Sequence, residues 1–478
     1  MLDVSSRVLK SDKVIPDELK MQLRRAVAPL EEVPENQKDW HPRSDGTVLD
    51  LVHPSLFPLV YGRSRILPDT TIPLDDCLDS IGKGVVAPFP LSATEPDRVT
   101  GWSRHESEML ELWSRRFQWL PCNVSFPDGE NAQIDSYINN LHPQDHKDLY
   151  HVIEKIITKA VPLWNVVYQS VHYHGLLETG LRIGCNRVRY TMHDGIPRDM
   201  PDDHDRDDFD DFRQRQRIYD LPEPDEFAEH YVTVDDVEKK WTFLDLDDEK
   251  KEKKFQVIVK LANIHLTPEK PEYKGGAWHI EGQLNEHIVS TALYYYDNSN
   301  ITESRLHFRT KVEADHFADD IIYEQGDSLG FKTIWGVDNM SQNEQLLGSV
   351  LTREDRLIAF PNGFQHRVGD FRLADPTKPG HRKILALFLV APTIPIISTA
   401  NVPPQQRDWW AREVKLNHSR IGQLPAELVD MIAEGVEDFP IGLEEAKAIR
   451  EELMLERGKM NEAVDYAMWD QEFSFCEH

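Results

Sequence analysis

Five apolar segments rich in β-branched residues follow one another in the second half of the chain, and no helix-length amphipathic segment separates them. Turn-forming residues such as Gly, Pro, Asn and Asp bound these segments. They are FQVIVKLANIHL from Phe255, IVSTALYYYD from Ile288, SRLHFRT from Ser304, DRLIAF from Asp355 and RKILALFLVAP from Arg382. Parallel strands need long and usually helical crossovers, whereas antiparallel strands do not. The succession therefore favours a sandwich or barrel over a parallel βαβ sheet.

Helical patterns flank these strands. Apolar residues recur at helical spacing in His105–Pro121 and Asp145–Gln169, and again in three segments after Pro403. We therefore expect three regions in one composite globular unit: a mainly helical region at 1–175, a strand-rich core at 176–400 and a helical region at 401–478.

An acidic loop is expected at residues 201–217, where seven Asp lie between Asp202 and Asp211. An EF-hand calcium loop needs a glycine at its sixth position and a late glutamate, and DDHDRDDFDDFR has neither. A solvated loop is therefore the better interpretation.

The charge balance excludes several classes of partner. Lys and Arg number 54 against 83 acidic residues, which gives a net charge of −29. A field of this sign repels phosphate backbones and anionic lipid headgroups, so we expect no nucleic-acid or membrane partner. The longest apolar run, Ile384–Pro392, is far shorter than the ~20 residues of a membrane helix. Four scattered cysteines and no apolar N-terminal run favour a cytoplasmic protein.

A candidate metal site begins in the stretch KGGAWHIEGQLNEHIVSTALYYYD. On a strand, residues two apart project from the same face, so His279 and Glu281 are expected to point together. Gly275, Gly276 and Gly282 allow tight turning around them. His366 follows a strand and a Pro-Asn-Gly turn and supplies a third donor from a remote segment. Two imidazoles and a carboxylate form the facial triad of non-haem Fe(II) oxygenases, which leaves coordination positions open.

The His-x-acid pattern is weak by itself, and His146-Lys147-Asp148 is a rival. That rival lies at a polar helix start, where the two side chains would diverge. Each of the other residues also has an ordinary alternative, such as a hydrogen-bonded core histidine or an ion-paired glutamate. The order of His279, Glu281, His366 and a following arginine favours the metal site.

That arginine is Arg382, sixteen residues after His366 and at the start of the last strand segment. A guanidinium can hold the far carboxylate of 2-oxoglutarate through two parallel hydrogen bonds. Lys383 is expected to face the opposite side of the strand.

Two resemblances extend this interpretation. The segments FQVIVKLANIHL through YYYDNSNI, FPNGFQHRV, HPSLFPLVYGRSRIL and VPPQQRDWW resemble a large family of fungal proteins known only as a domain of unknown function. More distantly, Phe255–Pro392 is similar to Fe(II)/2-oxoglutarate-dependent oxygenases. This similarity implies an α+β fold, in which helical regions pack around a double-stranded β-helix (a jelly-roll, cupin-like core) at 176–400.

The oxygenase resemblance also implies roles for residues. His279, Glu281 and His366 match the three iron ligands, and Arg382 matches the co-substrate anchor. The carboxylate is Glu where most of the superfamily has Asp. Ile384 stands where a Ser or Thr is expected to add a co-substrate hydrogen bond. We therefore take Lys260 and Asn263, on the first strand, as candidates for that contact.

The expected function is oxidation of a C–H bond with Fe(II), 2-oxoglutarate and dioxygen. The substrate class is a small molecule, either a free amino acid or an intermediate of fungal specialised metabolism. The outcome is hydroxylation, desaturation or ring closure. Two alternatives stay open: a metal-free barrel that acts as a binding or scaffold module, and a cupin-type metalloenzyme that does not use 2-oxoglutarate.

Overall fold

The structure is a computed structural model, and it describes residues 8–90, 112–174, 187–190, 217–220, 254–311, 332, 339–342, 344–416, 424–436 and 439–469. Residues 201–216 of the expected acidic loop lie outside this part of the chain.

The described residues form helices and strands in the following order. The helices are α1 (Asp17–Glu31), α2 (Lys147–His174), α3 (Arg407–Leu416), α4 (Ala426–Glu434) and α5 (Leu443–Trp469). The strands before α2 are β1 (Leu9–Ser11), β2 (Asp39–Trp40), β3 (Val48–Val52), β4 (Leu59–Val60), β5 (Arg65–Ile66), β6 (Val85–Val86), β7 (Phe117–Gln118), β8 (Cys122–Ser125) and β9 (Gln133–Ile134). The strands after α2 are β10 (Arg187–Tyr190), β11 (Arg217–Asp220), β12 (Lys254–Leu266), β13 (Glu272–Tyr273), β14 (Ile288–Ser299), β15 (Arg305–Lys311), β16 (Glu344–Leu351), β17 (Leu357–Pro361), β18 (Gln365–Val368), β19 (Phe371–Arg372) and β20 (Gly380–Val390).

The largest sheet among the described residues has nine strands. Its main path is β1-β17-β14-β20-β12-β3-β2, and β8 pairs with β12 and with β9. A separate sheet has the order β16-β15-β18. All strand pairings in these two sheets are antiparallel, and neither sheet closes on itself among the described residues. The expected mixture of helices with antiparallel strands is therefore confirmed.

The two faces of the large sheet pack against different partners. On β12, Val257, Val259 and Leu261 belong to a core shared with helices α1 and α2. Ile258, between them, belongs to a second core on the other face, because successive side chains of a strand alternate. Phe308 of the small sheet and Leu453 of helix α5 share this second core. The inner face of the large sheet is thus the one that faces the small sheet and α5.

The predicted strands are confirmed as β12, β14, β15, β17 and β20, and the helix predicted in Asp145–Gln169 is confirmed as α2. Pro162 lies inside α2. The helical pattern predicted to reach Pro121 is wrong at Phe117–Gln118, which forms β7. The N-terminal residues also add β3 and β8 to the large sheet, while the division at 175 and 400 stays a prediction. No helix of the described residues has the length and apolarity needed to cross a membrane.

Candidate metal centre

His279 and His366 lie directly opposite each other on antiparallel segments. The His279 N–H donates to the His366 carbonyl over 3.1 Å, and the His366 N–H donates to the His279 carbonyl over 2.9 Å. Gly276 continues this pairing through a hydrogen bond to the Val368 carbonyl of β18. Opposed residues of an antiparallel pair project their side chains to the same face. The two imidazole centroids are consequently 4.4 Å apart.

Glu281 completes a compact group. Its Oε1 lies 3.8 Å from His279 Nε2 and 3.4 Å from His366 Nε2. Donors that bind one metal ion at about 2.0–2.2 Å each are separated by distances of this order. The His279 side chain is 34% exposed, that of Glu281 13% and that of His366 3%, so the group is open to solvent on the His279 side. The structure thus brings the three predicted ligands together.

Hydrogen bonding leaves Nε2 of His279, the nitrogen that faces Glu281, available to a metal ion. Its Nδ1 lies 2.9 Å from the Ala277 carbonyl, which requires that Nδ1 carry the proton and donate. The Nε2 lone pair then faces Glu281, in the arrangement that metal-bound histidines adopt. The His366 ring is held on its other side by the edge-to-face ring of Phe360, at 4.8 Å.

The electrostatics of the group suit a cation. Burial raises the pKa of Glu281, but the hydrogen bonds and charges of His279 and His366 outweigh it and hold that pKa well below the usual range. Burial lowers the pKa of His366. Burial lowers the pKa of His279, but the Glu281 carboxylate outweighs it, so the pKa of His279 is raised. The group therefore presents an ionised carboxylate, and a metal ion would take the place of the proton that Glu281 favours on His279.

Glycine is required just after this carboxylate, as the sequence predicted. Gly282 has a φ of +72°, and a Cβ there would lie 2.5 Å from Glu286 Oε2. Gly275 likewise has a φ of +85°, and a Cβ there would lie 2.9 Å from the Val368 carbonyl oxygen. Both positions let the chain that carries His279 and Glu281 approach its neighbours closely.

Glu286 connects the segment after Gly282 to helix α5 through hydrogen bonds and an ion pair. Its carboxylate is fully buried and accepts hydrogen bonds from the Gln283 N–H at 2.7 Å and from the Trp119 N–H at 2.5 Å. Arg457 of α5 forms an ion pair with it, and the same guanidinium lies 3.7 Å from the Trp119 ring. This buried network holds α5 beside the candidate centre.

We expect Glu286→Ala to lower the free energy of unfolding by about 3–5 kcal/mol, because it leaves the largely buried Arg457 without its counterion. Urea unfolding followed by circular dichroism measures this loss. Glu444→Ala is the control, since Glu444 is an exposed carboxylate paired with Lys447 on the same helix, and the urea midpoint should stay nearly unchanged. Equal midpoints for the two variants would contradict the role of Glu286.

Arg382 is a buried cation without a carboxylate partner among the described residues. It is 2% exposed, and its Nη1 donates to Ser304 Oγ at 2.8 Å. Its Nε is buried without a hydrogen-bond partner. The rings of Tyr295 and Phe371 lie 5.5 and 5.3 Å from the guanidinium carbon, and burial lowers the pKa of Arg382. An unpaired buried guanidinium has hydrogen-bond donors that a carboxylate could accept.

The other predicted co-substrate residues divide between the two faces of the sheet. Arg382 pairs with Ile264 in the register of β12 and β20, and Lys260 lies on the same face because it precedes Ile264 by four residues. Asn263 lies on the opposite face, where it donates to Glu31 Oε1 at 2.6 Å. Its assignment to co-substrate binding is therefore corrected. Lys383 also faces outward, as expected, and pairs with Glu31 at 2.9 Å.

A second donor group, His41, Asp50 and His53, was not anticipated from the sequence. Asp50 and His53 are three residues apart and would face opposite sides of a regular strand. A bulge in β3 changes this, because Val52 lies opposite Leu261 whereas Asp50 lies opposite Ala262. Both side chains therefore reach the inner face of the sheet. A bulge leaves no periodic signal, which is why spacing rules miss this group.

The hydrogen bonds of this second group differ from those of the first. His41 Nδ1 lies 2.7 Å from Asp50 Oδ2, and Arg450 Nη1 lies 3.8 Å from the same oxygen. His53 Nδ1 accepts the Ser55 N–H at 3.1 Å, so a neutral His53 carries its proton on Nε2. Burial raises the pKa of Asp50, but His53 and His41 outweigh it and lower that pKa to about 2. His41 Nδ1, Asp50 Oδ2 and His53 Nδ1 are thus engaged in hydrogen bonds, whereas Asp50 Oδ1 is buried without a partner.

Comparisons with known proteins give one family match. The model of a family described as a protein of unknown function, DUF4246, matches residues 1–413. No curated protein matches the chain.

Several solved structures share short stretches of similarity with this chain. A bsmA homologue from Methylobium petroleophilum PM1 is 9% identical, with a TM-score of 0.18 over 29% of this chain and 42% of that one. The Fe(II)/α-ketoglutarate-dependent dioxygenase TqaL is 14% identical, with a TM-score of 0.19 over 31% and 48%. IDO from Bacillus thuringiensis is 11% identical, with a TM-score of 0.19 over 37% and 68%. The chain therefore spans less than half of the first two structures, and TM-scores this low do not establish a shared fold.

Proposed function

The chain belongs to the DUF4246 family of proteins of unknown function, and we propose that it is a non-haem Fe(II) oxygenase that uses 2-oxoglutarate and dioxygen to oxidise a C–H bond of a small molecule. The proposal depends above all on one observation: Glu281 Oε1 lies 3.4–3.8 Å from the Nε2 atoms of His279 and His366. This donor set suits ferrous iron and leaves positions free for other ligands. Iron held there would supply the activation of dioxygen.

Arg382 supports a 2-oxo acid as co-substrate. Its Nε is buried without a hydrogen-bond partner, and Nε and Nη2 form the edge of a guanidinium from which a carboxylate accepts two parallel hydrogen bonds, while Nη1 donates to Ser304. Ser304 is a hydroxyl beside the guanidinium, and it replaces the Ser or Thr that is missing at Ile384. Lys260 lies on the same face of the sheet and adds positive charge for an anionic ligand.

The sheet arrangement supports a double-stranded β-helix as the core. The small β16-β15-β18 sheet shares a hydrophobic core with the inner face of the large sheet, and the segment that carries His279 extends it beside β18. Such a core holds iron ligands from separate strands. Helix α5 packs in the same hydrophobic core and would exclude water from the substrate.

We propose a free amino acid or an intermediate of specialised metabolism as the substrate class. The position in which the inner face of the large sheet holds the C–H bond of the substrate decides between hydroxylation, desaturation and ring closure.

The test is release of succinate from 2-oxoglutarate by purified protein with Fe(II) under air. We expect succinate above the protein-free background for the wild type and for His146→Ala, and background levels for His279→Ala. His146 is the matched control because it belongs to the rival His-x-acid pattern and lies outside the triad. Protein that binds iron without forming succinate would favour a cupin-type metalloenzyme. Protein that binds no metal would favour a binding module.

A further inference from the structure

We propose that Asn362 positions Glu281 in the metal centre, so that metal affinity depends on the Asn362 side-chain amide. The inference rests on the proposed function, because it assumes that Glu281 binds a metal ion. Asn362 lies in the Pro-Asn-Gly turn between β17 and β18, four residues before His366.

The Asn362 amide holds the main chain of Glu281 on both sides. The Glu281 N–H donates to Asn362 Oδ1 at 2.9 Å, and Asn362 Nδ2 donates to the Glu281 carbonyl at 2.8 Å. The same Nδ2 donates to the Ile288 carbonyl at 3.1 Å, and the Asn362 N–H donates to the Val289 carbonyl at 3.0 Å. Asn362 thereby joins the beginning and the end of the loop between Glu281 and β14.

This contact replaces a strand partner that Glu281 lacks. His279 is paired through its main chain with His366, but the pairing ends there. Within the described residues, the Glu281 main chain forms its hydrogen bonds with the Asn362 side chain alone. The chain turns immediately afterwards at Gly282, where φ is +72°. Asn362 is therefore what fixes the Glu281 backbone, and hence its carboxylate, relative to the two histidines.

Loss of the amide would leave one N–H and two carbonyl groups without partners and would release the Glu281 backbone. Residues that orient metal ligands typically contribute about 10- to 100-fold to metal affinity. We therefore expect Asn362→Ala to weaken Co(II) binding by about that factor. Asn362→Asp is expected to be as weak, because it keeps the acceptor for the Glu281 N–H but places a charged oxygen against two carbonyls.

The experiment is calorimetric titration of metal-free protein with Co(II), together with the visible absorption spectrum of the Co(II) form. Asn300→Ala is the matched control. Asn300 Nδ2 also donates to three carbonyls, those of Asp375, Lys378 and Pro379 at 3.0, 2.8 and 3.2 Å, but Asn300 contacts no member of the triad. We expect this variant to lose stability and keep the wild-type affinity and spectrum.

Three outcomes separate the possibilities. Weaker binding and an altered Co(II) spectrum in Asn362→Ala and Asn362→Asp, at a temperature where circular dichroism shows folded protein, support the inference. Wild-type affinity and spectrum in either folded variant overturn it. A wild type that binds no Co(II) overturns the metal centre itself and, with it, both the proposed function and the role of Asn362.

Discussion

Replacement of Glu281 by glutamine is expected to reduce the affinity for Fe(II) by about a hundredfold or more and to bring 2-oxoglutarate turnover to background. Glutamine is nearly the same size but carries no charge, so the ion would lose the anion that lies between His279 and His366. Removal of one partner from a buried charged group costs about 3 kcal/mol or more, and each 1.4 kcal/mol is tenfold in affinity. Anaerobic calorimetry with Fe(II) and quantification of succinate measure the two effects.

Glu272→Gln is the control for this prediction. Glu272 is an exposed carboxylate in β13, nine residues before Glu281, and its replacement removes the same charge from the same stretch of chain. We expect the iron affinity and turnover of this variant to match those of the wild type. Undiminished iron binding by Glu281→Gln, or an equal loss in Glu272→Gln, would contradict the assignment of Glu281 as a ligand.

The strands and the triad could be predicted because both depend on short-range patterns. Continuous apolar, β-branched sequence indicates β12, β14 and β20 without any knowledge of tertiary contacts. The two-residue spacing of His279 and Glu281 indicates a shared direction, and the structure keeps it. The place of His366 after a strand and a turn indicates a third ligand from a remote segment, but its position opposite His279 is visible only in the backbone pairing.

Other parts of the site depend on contacts between remote segments, which the sequence does not display. Ser304 lies beside Arg382 because β15 begins next to β20, across 78 positions of chain. Asn362 was visible only as a turn residue, and its contact with Glu281 spans 81 positions. The error at Asn263 is different, since the three-residue spacing from Lys260 already implied opposite faces of one strand.

Replacement of Arg382 by methionine is expected to separate stability from co-substrate binding. The wild-type guanidinium is 2% exposed, has one hydrogen bond and leaves Nε unsatisfied, which destabilises the ligand-free protein. Methionine fills a similar volume between Tyr295 and Phe371 without a charge. We therefore expect Arg382→Met to be as stable as the ligand-free wild type or more so, because apolar replacements of buried charges are often neutral or stabilising.

The same substitution is expected to abolish the response to 2-oxoglutarate. A ligand at 100 times its dissociation constant stabilises a protein by about 2.7 kcal/mol, so Co(II)-loaded wild type should unfold at higher urea concentration when 2-oxoglutarate is present. Arg382→Met should show no such shift, because the co-substrate carboxylate would enter an apolar pocket unpaired.

Lys383→Met is the matched control for this prediction. Lys383 pairs with Glu31 and Asp297 on the outer face, so this variant should lose stability yet keep the shift. A full 2-oxoglutarate shift in Arg382→Met would show that the co-substrate carboxylate binds elsewhere, and a lost shift in Lys383→Met would show that the outer face contributes to the site.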